Sequence, residues 1–250
     1  DNVFAVIDTE TNFQNQVMSI GIVLADVHNF QPVDSRYYIL PQEAAVKGMY
    51  SNVLNLVEAG IARHCDRREA MEDIISLLQK YGSHRIFAYN ASFDKNHLSE
   101  LGKFTWCDIM WLSAYKQFNP SIPDNAEVSK SGRLKRGAGV EPTMRRLRGD
   151  AAYCETHNAL LDALDELEIM RRLGHHIEKY VSQQNVSQSV MRKDSNICVK
   201  RTIQESYTID TLVDSNYEEI PIRYTSEKAI TPLHELSAEL DSFVSKALSN

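Results

Sequence analysis

Three short segments carry residues able to do acid–base or metal chemistry. Asp8-Thr9-Glu10 ends an apolar run, Val3–Ile7, that reads as a buried strand. Side chains two apart on a strand share a face, so both carboxylates project together. They repel unless a cation lies between them or one takes a proton. Asn90-Ala91-Ser92-Phe93-Asp94 follows a second apolar run and puts Asp94 in the first turn of a helix. Taken alone, an acid there does no more than complement the helix dipole, worth about 0.3–1 kcal/mol. His157-Asn158-Ala159-Leu160-Leu161-Asp162 is the third segment. Five helical residues turn through about 500°, which leaves two side chains roughly 140° apart. His157 and Asp162 converge only if His157 stands before the helix, as Asn158 in the N-cap position arranges. Asp165, Glu166 and Glu168 follow closely and read as a solvated helix face beside a surface histidine. Each segment alone has such an ordinary reading.

The elements that must position these residues are legible around them. Val17–Val27 is a second β-type run, and Arg36–Leu40 a third before Pro41. Asp66 with Glu69 forms a capping pair, after which Met71, Ile74, Ile75, Leu78 and Tyr81 recur at helical spacing until Gly82. Arg85–Tyr89 reads as a fourth strand. Asn90 or Ser92 can cap a helix carrying Phe93, Asp94, Leu98 and Leu101 to Gly102. Phe104–Cys107 is a short fifth strand, Ile109–Phe118 a helix, and 119–139 a polar loop. Leu160, Leu161, Leu164, Leu167, Met170 and Leu173 define a helix closed by Gly174. The order predicts an α/β fold with a mixed sheet, its first three strands a meander.

Together the three segments resemble the motifs of one family, the DnaQ-like DEDDh 3′–5′ exonucleases. That family has an Asp-x-Glu ending a strand, then Asn-x-x-Phe-Asp, then His-x-x-x-x-Asp. Here the matching residues are Asp8–Thr11, Asn90–Asp94 and His157–Asp162, in the same order. The resemblance covers about residues 3–174 and implies a ribonuclease H-like mixed sheet flanked by helices. It also implies that Asp8, Glu10, Asp94 and Asp162 ligate two Mg²⁺ or Mn²⁺ ions, that His157 is the general base, and that 5′-mononucleotides leave from a nucleic-acid 3′ end. Two ions about 3.5–4 Å apart would stabilise phosphate charge and acidify the attacking water, and a histidine with a pKa near 6.5 could take its proton. DNA, single-stranded or frayed, is the expected polymer. An exoribonuclease of the oligoribonuclease kind is the alternative, and a non-catalytic nucleic-acid-binding or polymerase-associated module a third reading.

One departure affects substrate seating. Where the family commonly has Thr-Gly after Asp-Thr-Glu-Thr, this chain has Asn12-Phe13. Asn tolerates unusual backbone angles, whereas Phe13 cannot copy a glycine and is expected to stack on the terminal base. Thr11 and Asn90 match the motifs and are expected substrate contacts. Residues 130–148 hold seven basic residues against the single acid Glu141. Arg145, Arg146 and Arg148 are accordingly expected to meet substrate phosphates, with a plain solvated loop as the alternative.

Composition bounds the remainder. With 43% hydrophobic and 24% charged residues the chain is an ordinary globular protein, so disordered and collagen-like classes drop out. No apolar run approaches the roughly 18 residues of a membrane span. Val3–Ile7 runs directly into charges, unlike a signal peptide, and Asp at position 1 implies a chain processed or begun within a longer one. Cys65, Cys107, Cys154 and Cys198 show no metal spacing and read as free thiols of a cytoplasmic protein. His175–His176 read as solvated side chains at a helix end. The net charge of −7 argues against non-specific coating of nucleic acid.

Two units are expected: a nuclease domain over 1–178, and over 179–250 a linker with a small acidic β-plus-helix appendage. Residues 203–250 carry nine acidic and three basic residues. The appendage would hold β-rich runs at Ile197–Ile203, Tyr207–Val213 and Ile220–Tyr224, then a helix from Thr231-Pro232. Its apolar face, Leu233, Leu236, Leu240, Phe243, Val244 and Leu248, is expected to pack on the tail's own strands or on the core. Homodimerisation or docking of a protein partner through that face is the alternative.

Overall fold

A computed structural model describes residues 2–57 and 60–182. The expected appendage, its acidic helix and Cys198 lie outside the described residues. Six strands form one sheet: β1 (Val3–Thr11), β2 (Val17–Asp26), β3 (Pro32–Ile39), β4 (Ala62–His64), β5 (Arg85–Ala88) and β6 (Thr105–Asp108). Their spatial order is β4-β3-β2-β1-β5-β6. β2 pairs antiparallel with both β1 and β3, so the first three strands are the meander that the sequence predicts. β5 and β6 continue parallel to β1. With helices on both faces, this is the helix-flanked mixed sheet that the sequence predicts.

The sheet face on which a residue lies follows from β1. Phe4 and Val6 belong to one core layer, Ala5 and Ile7 to the other, because alternate side chains point to opposite faces. Helix α2 (Arg67–Lys80) covers the Ala5–Ile7 side with Ala70, Met71, Ile74, Leu77 and Leu78. Its cap is the expected one: the Asp66 carboxylate accepts from the Glu69 N–H at 2.8 Å. Helix α6 (Ala159–Leu173) covers the Phe4–Val6 side with Leu160, Ala163, Leu167 and Met170. Fully burying each such large aliphatic side chain stabilises by about 1.5–3 kcal/mol. Asp8 and Glu10 extend the Phe4–Val6 row and so emerge under α6.

Several expected elements differ in extent. Strand β4, two of whose three residues are exposed, carries almost no apolar signal and was not expected. The same holds for the short helix α1 (Pro41–Ala45), with Pro in its first turn, and for α5 (Val140–Arg148), which lies within the basic stretch. Asp94 lies in the first turn of α3 (Ser92–His97) as expected, but a separate 3₁₀ turn, Ser99–Leu101, completes the segment. Neither Asn90 nor Ser92 caps α3; Ala91 occupies that position without a side-chain bond. Only Met110–Ser113 of the expected 109–118 helix is α-helical, as α4. The 119–139 segment is a loop with isolated bridges, as its polar, proline-containing sequence implies. Packing continues beyond Gly174: Ile177 and Tyr180 are buried, and Tyr180 meets Phe87 edge-on at 5.7 Å.

Candidate active site

The carboxylates gather where β1 ends and α6 begins. Asp8 pairs across the sheet with Gly21, and Glu10 with Ser19. A Cβ on Gly21 would come within 2.1 Å of the Ala159 carbonyl oxygen, so the first turn of α6 rests directly on the β2 backbone. That close approach puts Asp162, one turn along α6, over the end of β1. Ligand atoms of Glu10, His157 and Asp162 all lie within 4.8 Å of one another. Asp94 joins from α3, where its Oδ1 accepts from the Thr9 hydroxyl at 2.7 Å.

His157 stands outside α6, as the helical-wheel argument requires. Its φ is +54°, an uncommon left-handed conformation. Asn158 is the N-cap: its side chain accepts from Leu161 N–H at 3.3 Å. The same amide donates to the Tyr37 hydroxyl at 3.1 Å and to the Val53 carbonyl at 2.9 Å. One buried side chain thus ties the start of α6 to β3 and to the 51–53 turn. Tyr50, next to that turn, stacks on the His157 ring with centroids 3.9 Å apart and planes 13° apart. Burial lowers the His157 pKa from 6.5 to about 4, so the imidazole is neutral at neutral pH.

The carboxylates shift the other way. Burial, then the charges of Asp94, Glu166, Asp162 and Glu10, hold Asp8 well above the usual carboxylate range. Asp162 is raised by burial, then by Glu155 and Glu10, although the Thr156 hydroxyl donates to it at 3.1 Å. Glu10 is raised by burial, then by Glu155 and Asp94. Burial raises Asp94 to about 7 despite the Thr9 hydroxyl bond. So many crowded acids, Asp94 and Asp162 buried and Asp8 and Glu10 half-buried, do not all ionise at neutral pH unless cations neutralise them. Asp8 Oδ2 and Glu166 Oε2 are buried and have no hydrogen-bond partner among the described residues. Orphaned buried oxygens in a carboxylate cluster fit a hard divalent cation such as Mg²⁺ or Mn²⁺.

Two acids in this cluster escaped sequence reasoning. Glu166, expected on a solvated face with Asp165 and Glu168, is 2% exposed, and Asp165 is also buried. Asp162, Asp165 and Glu166 are spaced i, i+3, i+4 on the buried face, and that spacing was the available signal. Glu155, two residues before His157, is raised to about 8 by burial, then by Asp165 and Glu141. No pattern marks it in the sequence.

The expected substrate contacts fall in different surroundings. Phe13 is 71% exposed at the β1–β2 turn. Asn12 is fully buried, and its side chain organises the turn: Oδ1 accepts from Gln14 and Gln16 N–H, and Nδ2 donates to the Glu43 carbonyl. The left-handed residue of this turn is Asn15, so Asn12 acts through its amide and not through an unusual backbone angle. Thr11 is buried, with its carbonyl against Gly48. Asn90 is exposed with φ +59°, and its N–H donates to Asp108 at 3.0 Å. The arginines have internal partners. Arg145 pairs with Glu141 at 2.8 Å and donates to the Tyr153 carbonyl at 2.7 Å, while Arg146 donates to the Gly137 carbonyl at 2.8 Å. Arg148 pairs with Glu168 at 2.6 Å and Asp165 at 3.3 Å. Arg148 therefore braces α5 against α6, while Arg145 and Arg146 tie α5 to itself and to the segments flanking it, so the stretch is neither a bare cationic array nor a plain solvated loop.

Outside the site, Cys65, Cys107 and Cys154 are free thiols. His175 is half-buried and bonded to the Phe118 carbonyl at 2.6 Å, not solvated; His176 is exposed as expected. Among the described residues no helix is long and apolar enough to cross a membrane.

No protein-family model matches the chain, and no curated protein matches it. Among solved structures it is similar to the nuclease domain of 3′hExo, a DEDDh family member bound to rAMP: 11% identity, 69% of this chain, 91% of that one, TM-score 0.47. It is also similar to a 3′-exonuclease recognising the histone mRNA stem-loop (13%, 69% and 81%, TM-score 0.47). A third is E. coli exonuclease I with a dA16 oligonucleotide, at 13% identity, 77% of this chain and TM-score 0.48; there the chain spans 45% of the other's length. At these identities and TM-scores the likeness says nothing of this chain's activity.

Proposed function

We propose that this protein is a divalent-metal-dependent 3′–5′ exonuclease that removes 5′-mononucleotides from a nucleic-acid 3′ end. The observation that carries the reading is the approach of ligand atoms of Glu10, His157 and Asp162 within 4.8 Å of one another, with the charges of Asp94, Asp162 and Glu10 bearing on Asp8, whose Oδ2 is buried and has no partner among the described residues. Asp8, Glu10, Asp94 and Asp162 are the residues that would hold two Mg²⁺ or Mn²⁺ ions. When bound, such ions acidify the attacking water and stabilise charge on the phosphate and the leaving oxygen. His157, neutral at physiological pH and adjacent to Glu10 and Asp162, accepts the water's proton. The Tyr50 stack and the left-handed backbone hold the imidazole off the axis of α6 for that task.

The exposed Phe13 ring stacks on the terminal base, and Thr11 and Asn90 border the 3′ end. Arg145, whose partner Glu141 lies one helical turn away at the surface, and Arg146 are the candidates for an upstream phosphate. Arg148, with two carboxylates at its guanidinium, is withdrawn from that role. Single-stranded or frayed DNA is the proposed polymer.

The test is digestion of single-stranded DNA and RNA oligomers, labelled at either end, by the full chain with Mg²⁺, Mn²⁺ or EDTA. Wild type should release mononucleotides from the 3′ end only when metal is present. Asp8→Asn and His157→Gln should lose at least about 10²–10³-fold. Preference for RNA would replace DNA as substrate and leave the chemistry standing. Tight oligonucleotide binding with no nucleotide release under either metal would overturn the reading in favour of a non-catalytic module.

A further inference from the structure

Glu166 is a buried acid whose position is hard to explain as packing. It lies four residues after Asp162 on α6, about 40° further around the helix and roughly 6 Å along it. Helical side chains lean back toward the N-terminus, which carries a long glutamate side chain toward the level of Asp162. Its surroundings agree with that direction. The charges that bear on Glu166 include Asp94 and Glu155, and Glu166 in turn is among the charges that raise Asp8.

The residue is 2% exposed. The Tyr89 backbone hydrogen-bonds the carboxyl, yet Oε2 has no partner among the described residues. Protonation would neutralise the carboxyl, and sharing that proton with another carboxylate oxygen is the metal-free alternative to a cation. A divalent cation, met directly or through one of its waters, would give Glu166 Oε2 the partner it lacks among the described residues.

We propose that Glu166 is a fifth carboxylate of the cation site, serving its Asp8–Asp94 side from the floor of the cluster. This rests on the exonuclease reading only in taking Asp8 and Asp94 as metal ligands. Four carboxylates balance two divalent ions, so a fifth raises cation affinity and costs the metal-free protein a further buried acid. Glu166 would hold the ion directly or through one of its waters, and both arrangements tie the ion to α6.

The experiment is Mn²⁺ titration calorimetry on the full chain, with wild type, Asp8→Asn and Glu166→Gln compared beside melting curves with and without Mn²⁺. Glu166→Gln keeps the shape and the Tyr89 contact and removes the charge. Its Mn²⁺ affinity should fall about tenfold or more, the scale on which outer partners of a metal site act. Its metal-free melting temperature should rise and its gain on adding Mn²⁺ should shrink. Unchanged Mn²⁺ affinity and stoichiometry in Glu166→Gln, with binding lost in Asp8→Asn, would overturn the fifth carboxylate and leave the exonuclease reading intact. Unchanged binding in both variants would remove the metal site itself. Should Glu166→Gln not fold, Glu166→Asp, which keeps the charge but withdraws it by one methylene, makes the same comparison.

Discussion

The backbone of Gly21 on β2 lies against the carbonyl of Ala159 at the start of α6, with no room between them for a methyl group. Gly21 is also the cross-strand partner of Asp8. The contact that seats α6 therefore sets the height of Asp162 above Asp8.

Gly21→Ala should consequently damage stability and activity together. The clash is with backbone, so α6 must shift, at a cost of about 1–3 kcal/mol or more. In thermal denaturation that is a loss of roughly 2–4 °C per kcal/mol. Nuclease activity should fall about 10²-fold at temperatures where the variant is still folded, since an ångström of misplacement is enough. A stable variant with full activity would show that α6 can approach Asp8 without this contact.

Tyr50 is expected to act as a positioning residue. Tyr50→Ala removes the ring stacked on His157 and admits water to the imidazole. We expect kcat to fall about tenfold with little change in KM. The acidic limb of the kcat–pH profile should move upward, because burial is what holds His157 near 4. A fall in activity with an unmoved profile would reduce Tyr50 to a structural role.

Metal-free stability should fall as pH rises. Asp94 is raised to about 7, Asp108 and Asp165 to about 6, and Glu155 to about 8, with burial as the largest cause in each. A raised carboxyl binds its proton more tightly in the folded state. Its contribution is complete below the unfolded pKa and is lost as pH rises through the folded value. His157 has the opposite sign: its lowered pKa costs stability as pH falls from 6.5 toward 4, but it is one group against four. Melting temperatures in EDTA should decline between about pH 5 and 8, and saturating Mn²⁺ should flatten the decline by replacing protons. A metal-free protein that gains stability over that range would refute the carboxylate shifts.

Phe13→Ala should separate binding from folding. At 71% exposure the ring contributes little to the fold, so stability should stay within about 0.5 kcal/mol. Loss of one base–aromatic stack should weaken oligonucleotide binding by about 1–3 kcal/mol. Equal affinity for wild type and variant would place the terminal base elsewhere.

Much of the fold was legible because its signals are local. The apolar runs of β1, β2 and β5, the Asp66–Glu69 cap and the Asn158–Gly174 bounds of α6 each depend on residues a few positions apart. Strand β4 and helix α1 were not legible. Three residues with two exposed, and five residues with none buried, leave no periodicity to read. Helix α5 was hidden by its charge, because Arg145, Arg146 and Arg148 read as phosphate contacts or a solvated loop, whereas Arg145 pairs with Glu141, Arg146 bonds the Gly137 carbonyl, and Arg148 pairs with Asp165 and Glu168.

By itself the sequence determined how the candidate groups must be oriented. Strand alternation put Asp8 and Glu10 on one face, and helix pitch required His157 to stand outside α6; both follow from backbone geometry alone. Only the tertiary structure decided how many acids share the site and how acidic they are. Glu155 and Glu166 enter the cluster because α6 closes onto β2 at Gly21, a contact between residues 138 positions apart in the chain. Local patterns specify where a side chain points, whereas desolvation and charge–charge repulsion depend on what the fold brings beside it.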